Sequence, residues 1–256
     1  MPLPIMIFSK AILREVPDTY RNCLSSHPLH DNVNVHKAQV QHEQYKNALN
    51  DLGIETIVLP KLNQFPDSCF VEDNALLSGK RAFISRMGVS SRMEETQSIV
   101  DVLQEFFEIK KCVAPGTIEG GDVIHLPDAM ISGLSLRTNL EGVKQAEMWL
   151  GKKFLTIDAP DIMHLKSYVT YIGENTFVST KRFASHPVLQ NFNVIVVPKG
   201  EEYGANTLTM NGTVLLSSHA PKLKNILETE GFETLSLEMT QFEYCNGALT
   251  CLSLRF

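Results

Sequence analysis

The chain has 256 residues, is 43% hydrophobic and 20% charged, and carries a formal net charge of −6. That length builds a sizeable core without disulfide or metal staples. The acidic balance argues against nucleic acid or an anionic membrane surface as partner, both of which favour basic proteins. No stretch is apolar for long enough to span a bilayer. The short run IMIF (5–8) lacks the basic leader of a signal peptide, so a cytoplasmic protein is expected. The five cysteines, at 23, 69, 112, 245 and 251, form no CxxC pair, and no HExxH occurs. They therefore read as free thiols in a reducing compartment, with no metal site and no cofactor expected.

Taken in chain order, one unit recurs. A strand is expected at PIMIFS (4–9), followed by the polar loop SSHPLHDNV (25–33) and a helix over HKAQVQHEQYKNALNDLG (36–53). Then come IETIVLP (54–60), FFEIKKCVAP (106–115), FLTIDAP (154–160), FNVIVVP (192–198) and FETLSLEMT (232–240). Each is a β-branched and aromatic run ending at a proline or polar break, which is strand composition. Each is followed by a polar loop and a second strand: EDNALLSG (72–79), EGGDVIHL (119–126), HLKSYVTYI (164–172), NTLTM (206–210) and NGALTCLSL (246–254). In four units the turns GK, PD, GE and NG then lead to a third strand, RAFIS, AMISG, NTFVST or TVLLSS.

Helices return the chain to the next unit. SRMEETQSIVDVLQEFF (91–107) opens on a Ser-x-x-Glu capping box and places Met93, Ile99, Val100, Leu103 and Phe107 on one face. NLEGVKQAEMWLG (139–151) has an Asn start and a Gly stop, and APKLKNILETEG (220–231) has Pro221 at its first turn. The last unit lacks a third strand and helix, which the N-terminal segment supplies. Read as a circle, the chain makes five α/β units in one closed domain over 1–256, one unit split between the termini.

Equivalent loops of a radial repeat converge on one end of its axis. They would bring together Glu72, Asp73, Glu119, Asp122, His164, Asn206, Asn246 and Cys251. A strand cysteine alone is most often an inert buried thiol. Paired with His164 it becomes a nucleophilic device. Nearby carboxylates raise a thiol pKa and oppose activation, a conflict that a cationic substrate removes by bringing positive charge to the sulfur. A guanidinium suits paired carboxylates through its parallel N–H donors.

DSCFVED (67–73), EGGD (119–122), SLRTN (135–139), HLKS (164–167), ANT (205–207) and GALTCLSLRF (247–256) together resemble the dimethylarginine dimethylaminohydrolase family. That family is part of the guanidine-modifying superfamily, and the likeness runs along the whole chain. It implies a five-bladed α/β propeller. It also implies Cys251 as nucleophile, His164 as general acid/base, and Glu119 orienting the imidazole and touching substrate. Asp73 would grip the guanidinium and Asp67 the α-amino group, with Glu72 supporting the loop. Arg92 and Arg137 would hold the α-carboxylate, and segment 25–33 would be the lid. Many relatives carry Asp where this chain has Asn246, which bears on substrate affinity. The implied partner is a methylated arginine, and a homodimer is compatible with the family. The rivals are a divalent-metal amidinohydrolase, an arginine deiminase or amidinotransferase, and a non-catalytic propeller.

Overall fold

The computed structural model describes residues 7–256. Its strands form five three-stranded sheets. The first joins β15 (Leu254–Arg255), β1 (Lys10–Arg14) and β2 (Glu55–Leu59). The second and third are β3 (Ala75–Ser78), β4 (Arg81–Ile84) and β5 (Glu108–Lys111), then β6 (Val123–His125), β7 (Ala129–Leu134) and β8 (Lys153–Asp158). The fourth and fifth are β9 (Val169–Gly173), β10 (Thr176–Ser179) and β11 (Asn193–Val196), then β12 (Leu208–Met210), β13 (Thr213–Ser217) and β14 (Glu233–Leu237).

Every sheet has one construction: the inner strand pairs antiparallel with the middle one, which pairs parallel with the outer one. A parallel neighbour needs a crossover connection. Helices α1 (Val35–Asp51), α2 (Gln97–Leu103), α3 (Leu140–Leu150) and α4 (Pro221–Thr229) supply it in four blades, and in the other a tight turn at Pro187–Leu189 lies in the connection. A short α5 (Thr240–Glu243) follows β14. The caps explain where two helices begin: Asn34 and Asn139 side chains accept the amides of Lys37 and Gly142. Apolar clusters fill the space between blades, as where Leu76 and Phe83 meet Val123, Met130 and the Val143, Ala146 and Leu150 face of α3. Inner strands meet around the axis, β15 with β3, β6 with β9 and β9 with β12, which makes the fold a five-bladed α/β propeller.

The first strand lies at Lys10–Arg14, C-terminal to the expected 4–9, of which 4–6 fall outside the described residues. Its register is set by β15 and β2: Ala11 and Ile12 are wholly buried, and Phe256 closes the ladder through Lys10. The capping box at Ser91 does not form. Ser90–Thr96 is a tight helical turn without a side-chain cap, because Arg92 and Glu95 point inward and pair. Met93 is consequently exposed, whereas Ile99, Leu103 and Phe107 are buried as their spacing requires. Nor are all the thiols free: Cys23 and Cys245 form a disulfide joining segments 222 residues apart, leaving Cys69, Cys112 and Cys251 reduced. Sequence spacing could not find that pair, because only the closed ring brings the two segments together.

Candidate active site

Each inner strand is entered through a tight helical turn: Val71–Asn74, Gly120–Asp122, Leu165–Ser167, Glu202–Ala205 and Thr250–Leu252. These turns pack against one another around the axis. Cys251 therefore sits on a turn, not on the strand that the alternating run GALTCLSLRF suggests. The alternation is real but is used by a turn and a two-residue strand, and Leu252 and Leu254 face the core. Glycines permit the close approach of the turns. A Cβ on Gly120 would collide with the Glu72 carbonyl, and one on Gly121 would lie 2.6 Å from His164 Nδ1. The EGGD motif thus records steric contact between blades.

Cys251, His164, Asp73, Asp67, Arg92, Arg137 and Asn246 line one narrow pocket, which Leu24 and Met163 help to close. His164 Nε2 lies 2.7 Å from Glu119 Oε2 and 3.7 Å from Asp73 Oδ1. Glu119 is wholly buried and stands behind the imidazole. Its second oxygen accepts the Gly88 amide, and Arg137 lies 3.8 Å from it. Asp73 accepts from the Gly121 amide through one oxygen and from Arg92 NH1 through the other, at 2.9 Å each. Arg92 also donates through Nε and NH2 to Glu95, and through NH2 to the Phe70 carbonyl. One of its five N–H donors is thereby left over. Arg137 NH1 is buried with no hydrogen-bond partner among the described residues. Asp67 accepts the Leu24 amide at 3.1 Å.

Charge and burial set the protonation states. Burial pushes the Cys251 thiol up to about 12, and the negative charges of Asp73 and Glu72 add to the rise. For His164 burial acts downward, but Asp73 and the Glu119 hydrogen bond outweigh it and raise the ring to about 9. Asp73 resists its own burial through His164 and Arg92 and falls to about 2. The protein alone therefore holds an imidazolium, an aspartate and a neutral thiol at neutral pH.

Glu72 lies apart from the pocket, whereas Asn246 lines it and turns its side-chain oxygen to segment 25–33. Glu72 Oε1 is held by Lys166 Nζ at 2.7 Å and by Arg255 NH2, and the residue faces a separate cavity of about 450 Å³ in the propeller channel. Asn246 adopts a left-handed φ of +54°. Its Oδ1 accepts from Ser25 Oγ at 2.9 Å and from the Ser26 amide at 2.8 Å, so it clasps segment 25–33. Asp122 joins neighbouring blades, accepting the Leu165 amide and the Ser135 hydroxyl. Sequence reading passed over Lys166, Arg255, Glu95, Leu24 and Met163. The first two lie inside quoted motifs, HLKS and GALTCLSLRF, and a buried glutamate demands such partners. Leu24 and Met163 carry no signal beyond being apolar.

A five-bladed α/β propeller whose turns gather a cysteine, a histidine and several carboxylates has the build of the guanidine-modifying enzymes. Residues 16–184 match the family model described as N,N dimethylarginine dimethylhydrolase, eukaryotic. The chain is 33% identical over 225 residues to the N(G),N(G)-dimethylarginine dimethylaminohydrolase of Pseudomonas aeruginosa, covering 86% of this chain and 89% of that one. A Pseudomonas aeruginosa dimethylarginine dimethylaminohydrolase, solved as a Cys-to-Ser variant with citrulline, superposes with a TM-score of 0.95 at 31% identity, over 98% of this chain and 100% of that one. A His-to-Gly variant of a dimethylarginine dimethylaminohydrolase, solved as an adduct with S-methyl-L-thiocitrulline, superposes at 0.94, also with 31% identity and over 98% and 100% of the two chains. The chain belongs to the dimethylarginine dimethylaminohydrolase family. Among the described residues no helix is long and apolar enough to cross a membrane.

Proposed function

We propose that this chain, acting as one catalytic domain, hydrolyses Nω-methylated arginine to citrulline and an alkylamine through a covalent intermediate on Cys251. The observation that carries the reading is the shared pocket: Cys251, His164, Asp73 and Arg137 line one cleft, with Glu119 locking the imidazole from behind.

The geometry supports the following roles. Asp73, ionised and fixed by Gly121 and Arg92, receives the guanidinium through its N–H donors. Arg137 NH1 and the spare donor of Arg92 take the α-carboxylate, and Asp67 takes the α-amino group. Glu119 is wholly buried and, unlike Asp73, does not line the pocket, so its part is to orient His164 and keep it protonated, with substrate contact left to Asp73. Glu72 supports its turn from the channel side, and Asn246 acts on the lid.

A guanidinium on Asp73 offsets the negative charge that adds to burial in raising the thiol, so the thiol releases its proton to solvent and the thiolate is stabilised. The sulfur attacks the central guanidinium carbon, forming a C–S bond. His164 gives its proton to the departing alkylamine nitrogen, leaving an S-alkylthiouronium on Cys251. The now neutral ring takes a proton from water, whose oxygen attacks the same carbon. The C–S bond then breaks to release citrulline and the thiol.

Asp73, Glu119 and His164 also present donor atoms within 4.8 Å of one another, the observation behind a divalent-metal hydrolase reading. Purified protein is incubated with arginine, monomethylarginine and asymmetric dimethylarginine, and citrulline and the released amine are quantified with chelator or thiol alkylator present. Equimolar citrulline and methylamine or dimethylamine, lost on alkylation and unaffected by chelator, is the expected result. Loss with chelator alone would favour the metal reading, and citrulline from none of the three substrates would refute both.

A further inference from the structure

A second cluster of ligating side chains lies at the lid, outside the catalytic set. The donor atoms of Cys23, His30 and Cys245 all fall within 4.8 Å of one another. Both cysteines are buried, and His30 Nε2 is buried with no hydrogen-bond partner among the described residues. A buried nitrogen left without a partner loses its hydration with nothing in return. The disulfide that joins the two sulfurs offers it at most a weak acceptor. Two sulfurs and an imidazole nitrogen are a ligand set for a borderline-soft divalent cation.

We propose that the reduced form of this cluster binds a Zn²⁺-class metal ion through Cys23 Sγ, Cys245 Sγ and His30 Nε2, clasping the lid over the pocket. Reduction comes first: two electrons and two protons, from a dithiol or from a phosphine that takes up water oxygen, convert the S–S bond to two thiols. The metal then displaces both thiol protons and takes the nitrogen lone pair, so two protons leave for each ion bound. Tetrahedral Zn–S bonds of about 2.3 Å set the sulfurs roughly 3.8 Å apart, against about 2.05 Å in a disulfide. The Cα atoms of the pair are 5.9 Å apart. Side-chain rotation covers the difference.

The location gives the site a consequence. His30 belongs to the lid segment, whereas Cys245 adjoins Asn246, and both Cys245 and Asn246 line the pocket with Leu24. The same two segments already meet through Asn246 and Ser25–Ser26, through Ser25 Oγ and the Tyr244 carbonyl, and through His27 stacked 5.4 Å from Tyr244. An ion held by residues of both segments adds a bond that must break before the lid opens.

The test uses the full chain carrying Cys251→Ser, so that the pocket contributes no thiolate. After phosphine reduction and removal of metals, it is titrated anaerobically with Co²⁺. The expected result is saturation at one ion per chain, with thiolate-to-cobalt charge-transfer bands and tetrahedral visible bands that Zn²⁺ abolishes. Adding Cys245→Ser should remove most of the charge-transfer intensity, and adding His30→Ala should weaken Co²⁺ binding at least tenfold. Circular dichroism of each variant reports whether the fold is kept. X-ray absorption of the Zn²⁺ form provides a reading without further mutation, with two sulfurs and one or more N/O ligands expected. Absent charge-transfer bands in the reduced protein, bands that survive Cys23→Ser with Cys245→Ser, or an affinity indifferent to His30→Ala in a folded variant would each overturn the proposal. So would a thiol count showing that the pair stays oxidised after reduction.

Discussion

Cys251 and His164 are each ordinary at the level of type and become a device only through their surroundings. A thiol near 12 is a poor nucleophile by itself, and its activation is assigned to the bound cation. Cys251→Ser is expected to abolish citrulline formation, while His164→Gln should lower kcat by about a hundred- to ten-thousand-fold. Arg137→Ala should raise KM for dimethylarginine more than it lowers kcat, because its NH1, beyond hydrogen-bond reach of Glu119, is proposed to meet the α-carboxylate, away from the reacting carbon. The pH dependence follows from the imidazole. With the folded pKa near 9, the proposed general acid is protonated at neutral pH, and kcat/KM should fall as pH rises through about 9. The same raised value is a stability statement. The folded state binds the proton more tightly than the unfolded chain, whose pKa is 6.5, so the contribution is complete below 6.5 and lost as pH rises through about 9. Urea unfolding of wild type and His164→Gln at pH 6 and pH 9.5 should show a gap that narrows at the higher pH. The gathering of Cys251, His164, Asp73 and Glu119 was legible because they stand at equivalent entries of different repeats. The partners of Glu72 were not, since the pairing of Lys166 and Arg255 with one buried carboxylate depends on two blades meeting.

At the scale of elements, strand positions followed from composition and turn chemistry, and β2, β5, β8, β11 and β14 lie where the β-branched runs stop at a break. What misled was local pattern against tertiary demand. Ser91 and Glu94 form a capping signature, yet burial of the Arg92–Glu95 pair turns the segment into a tight helical turn. GALTCLSLRF alternates like a strand, yet the axis admits only a turn at Cys251, as it does at the four equivalent sites. Segment 25–33, the proposed lid, belongs to this scale too. Asn246 holds Ser25 and Ser26 through an oxygen that aspartate also possesses, and its positive φ suits both residues. Asn246→Asp should therefore keep kcat/KM within about threefold, whereas Asn246→Leu, which removes the acceptor, should raise KM. Steady-state kinetics on the two variants separates an action on the lid from direct substrate contact.

The whole molecule is a ring closed by its ends: β15 pairs with β1, and the turn before β15 carries Cys251, the proposed nucleophile. Closure was readable from the incomplete last unit and the spare N-terminal strand, although that strand's register was not, because β15 and β2 set it. The Cys23–Cys245 disulfide was invisible for a related reason, being a product of closure. Between pocket and channel, Glu72 binds Lys166 and Arg255 in the buried interior. Lys166→Met would strip one cation from that carboxylate and should cost about 3 kcal/mol in urea unfolding, followed through Trp149, the chain's single tryptophan. The proposed reaction requires a substrate carbon to become bonded to Cys251 at the point where the five turns converge. Acid-quenching the protein during turnover of asymmetric dimethylarginine and mapping its peptides by mass spectrometry tests this directly. An adduct of the substrate less dimethylamine on the peptide containing Cys251 is the predicted result, and citrulline accumulating at full rate from Cys251→Ser protein, with every cysteine unmodified, would contradict it.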